Sequence, residues 1–173
     1  MSFLSRIFGD KDERAALRPL YDAVVAAGRR PFWYREGGIE DTMDGRFDAV
    51  SAVLAMVLIR LEEEGDRAKR ESVLLTELFI DDMDGTLRQI GIGDVVVGKH
   101  VGKLVGALGG RLGAFRAGLK DEGLQAAVRR NVFREAPPSE EAVALVTARL
   151  RGFHEALAAV PLADLLAGRL PTP

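Results

Sequence analysis

The sequence predicts an all-α protein, a compact bundle of about six to eight amphipathic helices without significant sheet. Apolar residues recur at spacings of three and four along nearly the whole chain, which is the period of an α-helix. Hydrophobic residues make up 47% of the 173 residues and charged residues 29%, so the chain can bury a core. The absence of cysteine excludes disulfide scaffolds, thiolate zinc sites and cysteine nucleophiles.

The net charge and the length of the apolar runs indicate whether the chain binds nucleic acid or spans a membrane. The formal net charge of −2 is not the basic balance typical of nucleic-acid binding, so we expect no nucleic-acid partner. The longest apolar run, residues 49–59, is shorter than the roughly 20 residues of a spanning helix, and the N-terminus has no secretory-signal pattern. We therefore expect a cytoplasmic protein. Its apolar residues 3–8 either fold back on the body or make a peripheral contact with a membrane.

The chain divides into an N-terminal segment, residues 1–16, that is expected to be partly flexible, a helical domain over residues 17–168, and a disordered tail, residues 169–173. The first helix of the domain ends at Gly28, and we expect Pro19 to break it into a short and a longer part. Residues 29–44 carry an aromatic cluster and are interpreted as an ordered connection.

The remaining helices follow in order. The spacing predicts helices over residues 46–64 and 68–89, and another that starts at Asp94 as N-cap. One buried stripe is expected on the first of these: Phe47, Val50, Leu54, Val57, Leu58 and Leu61. Glycines recur after Asp94, and we expect some of them to allow close helix–helix approach; they are Gly98, Gly102, Gly106, Gly109, Gly110 and Gly113. Further helices are predicted over residues 121–134, from the cap Ser139 to about residue 160, and after Pro161.

Residues 82–86 read DxDGT, which resembles the first motif of the haloacid-dehalogenase phosphatases. That chemistry needs a strand end to bring both carboxylates to one Mg²⁺ ion. The residues before the motif continue a helical pattern, and on a helix Asp82 and Asp84 are about 200° apart. A phosphohydrolase using Asp82 and Asp84 is therefore kept only as the weaker alternative, and no metal or catalytic residue is expected.

A stronger resemblance involves several segments. Residues 78–99 (LFIDDMDGTLRQIGIGDVVVGK) resemble the pattern F-x-x-D-M-D-x-x-L-R-E-x-G-x-G-D-x-x-V-x-K of the ubiquinol–cytochrome c chaperone family. Residues 20–32, 41–47 (similar to D-T-x-x-G-R-F-D) and 110–115 (similar to G-R-x-x-A-Y) are further matches. They occur in the family's order across residues 17–120, which is more specific than any single motif.

The sequence also departs from the family pattern. Gln89 replaces the usual Glu, Gly102 replaces one of two basic residues, and Phe115 replaces Tyr. Leu108 and Gly109 replace an aromatic pair. The changes at Gly102, Leu108, Gly109 and Phe115 are expected to alter the surface of the helix that follows Asp94, while the overall resemblance persists.

The resemblance implies a non-enzymatic assembly factor of the cytochrome bc1 complex, whose client is newly made cytochrome b. Mitochondrial relatives act with a small partner protein near the ribosome, and a bacterial-type member would work at the inner membrane. An apolar groove with a charged rim could bind such a client reversibly. The candidate rim residues are Asp81, Asp82, Arg88, Asp94, Lys99 and Lys103. The other alternative is a helical carrier for haem or lipid; the chaperone itself needs no cofactor.

Overall fold

A computed structural model describes the backbone of residues 3–89, 94–134 and 136–173, with the side chains of residues 13–86, 102–134 and 136–173. Within these ranges the chain forms helices and no strand, which confirms the predicted all-α class. The α-helices are α1 (Phe3–Gly28), α2 (Phe32–Arg35), α3 (Met43–Glu63), α4 (Lys69–Gln89), α5 (Asp94–Lys120), α6 (Leu124–Asn131), α7 (Glu140–Ala158) and α8 (Leu162–Leu166), and a 3-10 turn, Gly65–Arg67, precedes α4.

Helix α3 runs through the centre of the bundle. All its residues from 48 to 61 are buried, and it contacts α1, α4, α5 and α7. The expected single buried stripe is therefore wrong for this helix. Residues 49–59 are apolar at nearly every position, and a helix that is apolar all round is stable only when it is enclosed.

The starts of two helices depend on hydroxyl caps. Thr42 accepts a hydrogen bond from the backbone N–H of Gly45 at 3.1 Å, and α3 begins one residue after this cap. Ser139 accepts one from the N–H of Ala142 at 3.1 Å and opens α7. Each bond satisfies an N–H that has no partner inside the helix.

Helix α1 continues through Pro19, so the predicted break is wrong. Pro19 has no N–H, and the helix loses the bond that would reach the carbonyl of Ala15. Leu17 and Leu20 on either side of Pro19 are buried, and their burial offsets the lost bond. The helix begins at Phe3, inside the predicted N-terminal segment, but the side chains of residues 3–12 lie outside the described ones.

Helix α6 is shorter than the predicted span of residues 121–134. Glu122 and Arg134 both have positive φ angles, 60° and 52°, which are incompatible with continuing an α-helix. Val132 and Phe133 are buried even though the helix has ended. The apolar residues 132 and 133 are buried in a non-helical segment, and their spacing alone does not distinguish such a segment from a helix.

The segment between α1 and α3 and the C-terminal tail both contact the rest of the domain. In the segment 29–44, Trp33 is buried and its Nε1 donates to the carbonyl of Ala27 at 2.8 Å. At the C-terminus, Arg149 donates to the carbonyl of Pro173 at 3.3 Å. A contact does not measure mobility, so the disorder expected for residues 169–173 stays a prediction.

Five of the six α5 glycines expected to allow close helix approach do not do so, because a Cβ there would have no atom within 4 Å: Gly102, Gly106, Gly109, Gly110 and Gly113. A different glycine of α5, Gly118, does lie close to a neighbour, since a Cβ on it would be 2.6 Å from the backbone nitrogen of Leu124 at the start of α6. Gly98 lies outside the described side chains. A close approach also occurs between α1 and α3, where a Cβ on Gly28 would lie 2.6 Å from Cα of Val50.

Two glycine substitutions should therefore have opposite effects. Gly28→Ala should lower the free energy of unfolding by about 1–3 kcal/mol, because its methyl group meets backbone that cannot move aside cheaply. The matched control Gly106→Ala should raise it by about 0.5–1 kcal/mol, because the site is open and alanine favours helix. Urea denaturation measures both. A stabilising Gly28→Ala would contradict the described packing of α1 on α3.

Candidate functional site

A cavity of about 660 Å³ lies between α1, the N-terminal end of α3, α4 and α5, and we call it the α3 cavity. Its described apolar lining consists of Val25, Met43, Phe47, Val50, Met83, Leu104 and Ala107. Its charged lining consists of Arg29, Asp41, Asp44, Arg46, Asp48, Asp82, Lys103, Arg111 and Arg134. Its size is in the range of small-molecule and side-chain binding sites.

A buried charge cluster forms part of the cavity wall. Arg111 donates from Nη2 to Oδ1 of Asp48 at 2.7 Å, and its Nη1 bonds to the hydroxyl of Ser51. Arg134 donates from Nε to Oδ2 of Asp48 at 2.8 Å and from Nη1 to Asp44 at 2.8 Å. Asp48 and Arg111 are 2% and 5% exposed, so this pair is almost completely removed from water. It joins α3 to α5.

The electrostatics of the cluster follow from its burial. Burial lowers the pKa of Arg111, and the neighbouring charge of Asp48 opposes this shift. The hydrogen bond to Asp48 raises the pKa of Arg134. The guanidinium of Arg111 also lies 5.3 Å from the centroid of the Phe47 ring, a cation–π arrangement. The cluster contains the carboxylates of Asp44 and Asp48 and the guanidiniums of Arg111 and Arg134, so its formal charges sum to zero.

A hydrogen bond between Tyr21 and Asp82 connects α1 to α4 beside the cavity. The Tyr21 hydroxyl donates to Oδ2 of Asp82 at 2.7 Å. Burial raises the pKa of Tyr21, and the hydrogen bond to Asp82 raises it further. Tyr21 therefore keeps its proton at neutral pH and acts as a hydrogen-bond donor that holds Asp82 in position.

The DxDGT motif lies inside α4, not at the end of a strand. Asp82 and Asp84 are therefore separated by about 200° around a helix axis, as expected from the sequence. Among the side chains that the structure describes, no group of three or more His, Asp or Glu residues could hold a metal ion. The arrangement gives no support to the phosphohydrolase alternative.

The predicted rim residues have different positions. Asp82 and Lys103 both line the α3 cavity, so the structure brings these two together. Asp81 is exposed, does not line it, and forms an ion pair with Arg14 of α1. Arg88, Asp94 and Lys99 lie outside the described side chains.

Several cavity residues were missed by the sequence analysis. Asp48 and Arg111 had a signal, because each occupies a position of a family-like pattern, D-T-x-x-G-R-F-D and G-R-x-x-A-Y. Tyr21, which bonds to the lining residue Asp82 without lining the cavity itself, lies in the matching segment 20–32. Arg134 had no signal, because it belongs to a loop 86 residues from its partner Asp48.

The chain is similar to known proteins both in sequence and in fold. A sequence profile of the ubiquinol-cytochrome C chaperone family matches residues 35–172, which is most of the chain. The chain belongs to this family. The crystal structure of the Cbp3 homolog from Brucella abortus is similar, with 27% identity, a TM-score of 0.80, and coverage of 99% of this chain and 97% of that one. No protein of curated function matches the chain by sequence.

The family resemblance and the geometry converge in this chaperone. The segments 20–32, 41–48, 78–99 and 110–115 all contribute residues to the α3 cavity, although they are far apart in sequence. If each segment served only local packing, the four segments could lie at separate places in the fold. Their meeting at one open cavity marks it as the candidate functional site. None of the helices within the described residues is long and apolar enough to span a membrane.

The buried pair of the cluster should matter more to stability than an exposed pair on the same helix. Arg111→Met should lower the free energy of unfolding by about 3 kcal/mol, because Asp48 keeps only Arg134 as a cation partner. The control Arg116→Met removes an ion pair to Glu62 that is about 40% exposed and should cost less than about 1 kcal/mol. Chemical denaturation would measure both values, and equal costs would contradict the importance assigned to the buried pair.

Proposed function

We propose that this chaperone binds newly made cytochrome b and keeps it competent for assembly into the cytochrome bc1 complex. The main support is the convergence of the four family-like segments on the α3 cavity. A family profile that covers residues 35–172 supplies the general role in bc1 assembly. The cavity supplies a surface on which the client would be bound.

The chemistry of the cavity suits reversible binding of a protein segment. Its apolar side chains can cover client residues that are normally buried in the complex or the bilayer. Its charged side chains set the orientation of the client and exclude wrong partners. A volume of about 660 Å³ accommodates a few side chains, so the client would insert part of a segment rather than a whole helix.

Binding of this kind needs no covalent step. Asp48, Arg111 and Arg134 are engaged with one another, and Asp82 with Tyr21, so these groups serve as fixed partners rather than proton carriers. Because the client is an integral membrane protein, we place the chaperone in the bacterial cytoplasm, at the periphery of the inner membrane while it holds the client.

Site-specific photocrosslinking tests the proposal. A photoreactive phenylalanine analogue replaces Ala107, an exposed residue of α5 that lines the cavity. The matched control carries it at Ala126, an exposed residue of α6 away from the cavity. After irradiation of the native host, mass spectrometry should identify cytochrome b bound at position 107 and not at 126.

Two results would count against the proposal. Equal crosslinking of cytochrome b from both positions would exclude the cavity as the docking site. Crosslinking of position 107 to haem or an acyl chain, without cytochrome b, would favour the carrier alternative.

A further inference from the structure

The charges that line the α3 cavity are not all matched. Among the side chains that the structure describes, four carboxylates and five cationic groups line it. Three of the carboxylates form ion pairs with lining arginines: Asp41 with Arg46, Asp44 with Arg134, and Asp48 with both Arg111 and Arg134. The fourth, Asp82, accepts a hydrogen bond from the neutral Tyr21.

Two cations are left over. Arg29, next to the end of α1, and Lys103, on α5, line the cavity without a hydrogen bond or ion pair to any other described side chain. Both are exposed, so an incoming group can reach them. Arg29 follows α1, whereas Lys103 belongs to α5, and the apolar lining of the same cavity includes Val25 and Leu104. The described lining thus combines apolar surface with unmatched positive charge.

This combination defines the kind of group that fits. We propose that the α3 cavity receives a carboxylate side chain of the client, flanked by apolar residues, and that Arg29 and Lys103 bind this carboxylate. The inference rests on the proposed function and adds the chemistry of the segment that is bound. A basic segment is disfavoured, because it would meet both Arg29 and Lys103, and the one lining carboxylate without a cation partner, Asp82, already accepts a hydrogen bond from Tyr21.

The requirement for a carboxylate would give the chaperone selectivity. Cytoplasmic loops of membrane proteins are enriched in lysine and arginine, so apolar segments that end in a basic residue are common on that side of the membrane. A cavity with surplus positive charge rejects such segments by like-charge repulsion. An apolar segment that carries Asp or Glu is less common there and is the one this cavity accepts.

Charge reversal with a matched control tests the inference. The variant Arg29→Glu with Lys103→Glu reverses both surplus cations. The control, Arg30→Glu with Lys120→Glu, makes the same change in net charge at exposed residues that do not line the cavity. Cytochrome b recovered with each chaperone from native membranes is quantified by mass spectrometry. We expect the cavity variant to recover about tenfold less than the wild type, and the control to recover as much.

A compensating change in the client identifies the carboxylate. Photocrosslinking from position 107 locates the bound segment, and the Asp or Glu within one helical turn of the crosslink is changed to Lys. The wild-type chaperone should lose this client, whereas the doubly reversed chaperone should regain it. Arg29→Gln with Lys103→Gln, which avoids new negative charge, should lie between wild type and reversal. Circular dichroism and urea midpoints of the cavity variants should be close to those of the wild type, because neither Arg29 nor Lys103 forms a hydrogen bond or ion pair with another described side chain.

The outcomes separate this inference from the proposed function. If the wild type recovers no cytochrome b, both fail. If it recovers cytochrome b and the cavity variant recovers as much, or the control falls equally, only the carboxylate inference is overturned. A crosslinked client segment without Asp or Glu would also overturn the carboxylate inference. So would native mass spectrometry that finds a fatty acid or haem bound to the wild type and not to the cavity variant.

Discussion

Helix α3 has no polar face over residues 48–61 and therefore needs a neighbour on every side. The polar groups it carries are few, and each joins it to another element. Asp48 pairs with Arg111 of α5, while Arg60 donates to the carbonyls of Leu157 and Val160 at the end of α7. A buried charge is stable only with a well-placed partner, so these contacts specify how α5 and α7 lie on the central helix.

The cavity forms at the N-terminal end of α3, where the surrounding helices no longer cover the central helix. From Asp48 to Leu61 α3 is buried, whereas residues 41–44 before it are exposed. Gly28 lets α1 approach α3 at Val50, close to this transition, and the Asp48 cluster holds α5 on the other side. The surrounding helices therefore leave an open space at the start of α3, with apolar side chains from the core and charged side chains from the surface.

The sequence was sufficient for the class of fold and for most helices, because the three-and-four spacing of apolar residues reports burial directly. The prediction failed where hydrogen bonding is interrupted inside a helix and where a buried segment is not helical. Pro19 interrupts hydrogen bonding without ending α1, and Phe133 is buried beyond the end of α6. The candidate site was only partly predictable, since Asp82 and Lys103 could be proposed from charge and resemblance. The Asp48–Arg111 pair spans 63 residues, and no local pattern specifies such a long-range contact.

The aspartates of α4 show how the same residues acquire different roles in different backbones. At a strand end Asp82 and Asp84 would face one ion, but a helix turns them apart by about 200°. Asp82 instead accepts a bond from Tyr21, whose raised pKa keeps the donor protonated. The carboxylate then joins α1 to α4. Arg29 also lines the cavity and forms no ion pair with a described side chain. A motif typical of catalysis thereby becomes part of a surface suited to binding.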